Sequence, residues 1–191
     1  MAAELGAHEM MEIHEVLTDT IDGINQFQLY QPHIKDPKLS TIVQKQINFM
    51  VQEYNNMVQT IDQQSRGEAI PYRSIKNAAP AYGLKNPSPN APNTSLNEMD
   101  DRDVSSGMLG CHKASACLRM KASLELADPT LRRMLQQGAI NCSEQAFEVW
   151  HYMNQNGYYQ VPTMKQITTD TMINTFTTNN MPANMANQMR I

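Results

Sequence analysis

The stretch Asp128–Tyr159, DPTLRRMLQQGAINCSEQAFEVWHYMNQNGYY, limits what this chain can fold into more than any other. Its Asp-Pro opening suits a helix start. The carboxylate can accept free backbone N–H groups, and the Pro ring pre-sets φ where no N–H partner is needed. Apolar or small residues follow at Leu131, Leu135, Gly138, Cys142, Ala146, Val149 and Met153, in steps of three and four that draw one stripe along one helix face. Asn156-Gly157 closes it, because Gly takes the left-handed conformation that helix ends favour. This predicts an amphipathic helix of about seven turns. Only partners of similar length can cover such a stripe.

The rest of the chain supplies those partners. Residues 3–31 predict a first helix with Met10, Ile13, Leu17, Thr20, Ile24 and Phe27 on its inner face, ended by Pro32. Asp36-Pro37 launches a second, with Leu39, Val43, Ile47, Met50, Tyr54, Met57 and Ile61 inside, running to about Ser65. The short link between the two can only reverse the chain, so they form an antiparallel hairpin. From Arg66 to Asn93 five prolines break every period, leaving an extended linker. A helix of about 27 residues is about 40 Å long, and roughly 28 extended residues reach about 90 Å. The linker can therefore run the length of a bundle and restart at its far end, and protease is expected to cut here first.

Ser95-Leu96-Asn97-Glu98 fits a capping box, so a third helix starts there or shortly after. Val104, Met108, Cys111, Ser115, Leu118 and Ala122 form its inner face. Aligning the two Asp-Pro pairs sets Leu39 on Leu131, Ile42 on Met134 and Gln44 on Gln136, as in a duplicated hairpin. The expected organisation is a first hairpin over 1–65, a Pro/Asn-rich crossover over 66–94, a second hairpin over 95–160 sharing one all-α bundle with the first, and a Met/Asn/Thr-rich tail over 161–191. Residues 164–176 could add a short helix against the bundle, and the last fifteen or so are expected to have little fixed structure.

Charge and composition exclude several functions. A net charge of −4 leaves no basic footprint for nucleic acid. No window approaches the roughly 18–20 apolar residues of a membrane span. The opening MAAELGAHEMMEIHEV lacks the basic and apolar regions of a secretory signal, so synthesis and retention on the cytoplasmic side are expected. Cys111, Cys117 and Cys142 lack paired C-x-x-C spacing and read as buried free thiols, not as a zinc site or a disulfide framework.

Positions 101–162 resemble the coat F family of bacterial endospore coat proteins. The resemblance is carried by Asp101-Arg102-Asp103, by Asp128-Pro129 with Leu131-Arg132-Arg133, and by Tyr152-Met153 followed by Gly157-Tyr158-Tyr159. It extends more loosely over the first hairpin, about 160 residues in all. Ser143-Glu144-Gln145 stands where the family has a His-Glu-Glu-like run. The resemblance implies a ferritin-like four-helix bundle of two antiparallel hairpins. It also implies a non-enzymatic structural role in the spore coat, with synthesis in the mother-cell cytoplasm and other coat proteins, or a second copy, as partners.

A ferritin-like bundle raises the question of two metals, held by a Glu from each of two helices and a Glu-x-x-His from each of the others. Glu148 and His151 satisfy the spacing on the fourth helix, and Glu53 offers a Glu without a His. The first helix adds His8, Glu12, His14 and Glu15, and the third only Cys111, His112 and Glu125. With no matching second motif, Glu148 and His151 read as rim residues, and His8, Glu9, Glu12, His14 and Glu15 as a solvated acidic face. Cys111 and His112 are adjacent, hence on different helix faces, and make a poor nucleophile–base dyad. No catalytic residue, metal ligand or cofactor is assigned. A ferritin-like metal-binding protein or oxidase is the alternative. Gly157-Tyr158-Tyr159 reads as a helix cap whose rings fold back over the bundle end. The other reading is an exposed aromatic patch for assembly.

Overall fold

A computed structural model describes residues 5–62, 67–74, 79–87 and 89–178. Four long helices, α1 (Ala7–Tyr30), α2 (Pro37–Ile61), α3 (Asp101–Ser123) and α4 (Pro129–Gln155), are followed by a short α5 (Gln166–Ile173). Among the described residues, extended pairing is confined to isolated bridges of Tyr82 and Gly83 with Val161. No helix among them is long and apolar enough to cross a membrane. The first and second helices end near the expected limits, although residues 1–4 and 63–66 lie outside the described residues.

Local chemistry sets the helix starts. Asp36 accepts from Lys38 N at the head of α2, and Asp128 accepts from Thr130 N and Leu131 N at the head of α4, each followed by Pro. The register that pairs these two starts also pairs burial. Leu39 and Leu131, Ile42 and Met134, Val43 and Leu135, and Met50 and Cys142 are all buried. The third helix starts later than Ser95. Leu96–Glu98 forms only a 3-10 turn, and Asp100 caps α3 by accepting from Arg102 N and Asp103 N. At the far end of α4, Gly157 has φ +74, Tyr158 N donates to Met153 O at 2.8 Å, and Gly157 N donates to Asn154 O at 3.2 Å. This is the Schellman arrangement that the Asn-Gly pair predicts.

Cross-helix contacts fix the topology. Going round the bundle, the order is α1, α2, α4, α3. Asp19 meets Ser115 while Glu9 meets Ala127 and Asp128, so α1 and α3 run antiparallel. Asp36 meets Tyr152 while Glu53 meets Asn141, so α2 and α4 are antiparallel too. The chain must therefore travel from the foot of α2 to the head of α3. Its described parts follow α4 on the way. Ile70 and Tyr72 bond Asn141, Ser74 bonds Glu144, Ala79 bonds Gln155, Ala81 bonds Asn154 and Lys85 bonds Gln160. The crossover is a strap tied to the bundle.

Two apolar clusters fill the interior. The upper one gathers Phe27, Leu39, Val43, Ile47, Met108, Val149 and Tyr152, the lower one Ile13, Val16, Met57, Leu131 and Leu135. None of the residues of α5 is buried, and Ile167, Ile173 and Phe176 are exposed, so α5 does not lie against the bundle as expected. It is too short and too weakly amphipathic to bury a face. Residues 179–191, most of the expected structureless tail, lie outside the described residues.

Candidate functional site

Between the apolar clusters lies a polar layer that draws on all four bundle helices and the strap. Its upper half centres on Glu148, which is 3% exposed rather than on the helix rim. The carboxylate accepts from Lys45 Nζ at 2.6 Å, from Gln46 Nε2 at 3.1 Å and from the Tyr72 hydroxyl. Gln46 Nε2 also donates to Gln145 O, which turns its Oε1 toward His112 Nε2 at 2.9 Å. With that orientation the imidazole donates. Burial, reinforced by the Arg119 charge, depresses the His112 pKa to about 3, so the ring is neutral. Burial and the bond to Glu148 raise the Tyr72 pKa, keeping the phenol a donor.

The lower half centres on Arg119. Nη1 donates to Glu53 Oε2 at 2.7 Å and Nη2 to Thr20 Oγ1 at 2.9 Å. Glu53 Oε1 accepts from Asn141 Nδ2 at 2.6 Å, and the same amide nitrogen donates to Ile70 O. Gly138 leaves room for the guanidinium, since a Cβ there would come within 2.7 Å of Nη1.

Glu53 and Glu148, the candidate metal carboxylates on α2 and α4, are thus each held by a protein cation. His151 is half-buried beside Phe147, with its pKa lowered by burial and by Lys38. Among the described residues no three His, Cys, Asp or Glu side chains converge in a way that could hold a metal. Of the acidic face expected on the first helix, Glu9 is buried instead. Its carboxylate accepts Gly6 N, Ala127 N and Asp128 N, so α1 is clamped to the head of α4. His8, His14 and Glu15 are exposed and Glu12 is half-exposed. The cysteines differ from the expectation of three buried thiols: Cys142 is buried, Cys111 half-buried and Cys117 exposed. Burial pushes the Cys142 thiol up to about 12 and raises Cys111 too, so neither is an activated nucleophile.

At the upper end, Tyr158 packs against the core and Tyr159 is 40% exposed. Phe147 stacks on Trp150, Trp150 meets Tyr159 edge-on, and Lys113 Nζ lies 5.4 Å from the Tyr159 ring centre. One tyrosine therefore follows the cap reading and the other the surface-patch reading.

The Coat F domain family matches residues 100–162, from the α3 cap to just past the α4 cap. The "Spore coat protein F-like protein YhcQ" of Bacillus subtilis (strain 168) is 34% identical over 174 residues, covering 90% of this chain and 80% of that protein. The chain belongs to the Coat F family. That membership places it in the spore coat. No solved structure matches the chain. The Coat F segment contributes His112, Arg119, Asn141 and Glu148 to the polar layer, while Lys45, Gln46, Glu53 and Tyr72 come from the first hairpin and the strap.

The inner residues Gln46 and Arg119 were legible in principle. Gln46 lies three after Val43, and Arg119 four after Ser115, both in step with apolar stripes. Tyr72 carried no such signal, because the strap has no period.

Proposed function

We propose that this Coat F protein is a non-enzymatic structural component of the spore coat, a single bundle made of residues 1–160 with the tail 161–191 outside it. One long crossover in a four-helix bundle is the ferritin-like connectivity, which favours that kinship. The observation that carries the structural reading is the neutralised core. Arg119 on Glu53 and Lys45 on Glu148 spend both carboxylates of the polar layer on internal bonds. Self-association or docking to other coat proteins then falls to the outside, through the aromatic patch at Phe147, Trp150 and Tyr159 and the apolar residues of α5.

The test is coat fractionation of sporulating cells carrying the chain with residues 161–191 deleted, or with Phe147→Ser and Tyr159→Ser. Loss of either variant from the coat fraction, with normal folding in solution, supports assembly through that surface. Retention of both in the coat contradicts it.

A further inference from the structure

The foot of the polar layer contains a cavity of about 20 Å³, bounded by Thr20, Glu53, Met57, Arg119 and Leu135 and roofed by the strap at Ala69 and Ile70. A water needs about 10–15 Å³ measured in this way, so one molecule fits and a larger organic ligand does not. Arg119 lines this cavity and is only 5% exposed. Nη1 is used by Glu53 and Nη2 by Thr20, whereas the buried Nε has no protein partner. An N–H of a charged group left unmet in an apolar wall is costly, which makes such a group a strong acceptor-seeking site.

The local charge selects the ligand. The guanidinium and the Glu53 carboxylate cancel, and Thr20 is neutral, so neither an anion nor a cation gains from entering. What fits is a neutral molecule that can accept from Nε–H and donate onward. Glu53 oxygens have lone pairs beyond the bonds from Asn141 and Arg119.

We propose that this cavity is a built hydration site, in which a single water accepts from Arg119 Nε and donates to the Glu53–Thr20 side of the cavity. The water couples α1, α2 and α3 through one hydrogen-bonded node, and the strap is its lid.

The full-length chain, labelled with ¹⁵N, gives a direct readout through the Arg119 Nε–H resonance. Expected are a water cross-peak to that proton and ordered density within hydrogen-bond distance of Nε in a high-resolution crystal structure. Ala69→Val narrows the cavity from the strap side while leaving the Arg119–Glu53 pair in place, and should abolish both signals. An empty cavity with no water cross-peak overturns the proposal, as does a cross-peak that survives in Ala69→Val.

Discussion

Arg119 Nη1 lies 2.7 Å from Glu53 Oε2, joining α3 to α2, which stands diagonally opposite in the bundle. Neither side chain is much exposed, at 6% and 13%. Removing one partner from such a pair leaves a buried charge, while replacing both with apolar groups removes both desolvation costs. Arg119→Met or Glu53→Leu alone should lose roughly 3–5 kcal/mol in denaturant unfolding, and the double variant much less. Equal losses in all three would show that the pair is not a coupled unit.

Gly138 and Gly110 should respond in opposite ways to alanine. A Cβ at Gly138 meets Arg119 Nη1 at 2.7 Å and Cδ at 3.3 Å, and the bond to Glu53 prevents the guanidinium from swinging aside. Gly138→Ala should therefore cost about 1–3 kcal/mol by overpacking. Gly110 lies inside α3 with nothing near its added Cβ, so Gly110→Ala should gain about 0.5–1 kcal/mol from helix propensity. Thermal unfolding of the two variants measures the contrast.

His112 should dominate the pH dependence between neutrality and mild acid. Its folded pKa is depressed to about 3 by burial, against an ordinary value near 6.5. The unfolded chain takes up the proton first, so stability is unaffected above pH 6.5, falls as pH drops from there toward 3, and is level below. The slope reaches at most about 1.4 kcal/mol per pH unit. His112→Gln should flatten this part of the stability–pH curve.

Glu9 adds a second, more acidic limb. Backbone N–H groups of Asp128, Gly6 and Ala127 hold its carboxyl below the usual range. The contribution is present above the ordinary carboxylate pKa and is lost as pH falls through the lowered folded value. Glu9→Gln should remove that limb and weaken stability at neutral pH, since the charged acceptor at the head of α4 is gone.

The helices were legible because each repeats its chemistry: Asp-Pro at Asp36 and Asp128, apolar steps of three and four, and Gly157 after the last turn. Burial of Glu9 and Glu148 was not, since composition makes a lone acid look solvated. Their partners are backbone N–H groups at Ala127 and Asp128, and Lys45 and Tyr72, all more than sixty residues away. Such pairings appear only once the chain is folded. The strap shows the same limit. Its prolines announce a break in helix, but not the side-chain ties to α4.

Those ties change the expected order of cleavage. Tyr72 is buried at 6% exposure, whereas Tyr82 and Phe176 are 66% and 84% exposed. Limited chymotrypsin digestion should cut at Phe176 and Tyr82 well before Tyr72, because cleavage needs a locally free backbone. Early cutting at Tyr72 would mean that the strap is not bound to Asn141 and Glu148.

The most direct test of a structural, internally neutralised core is the metal content of the protein purified from sporulating cells of its own host. The expected result is iron and manganese far below one atom per chain, unchanged in Glu148→Gln and His151→Ala. Near-stoichiometric iron or manganese that disappears in those variants would contradict it.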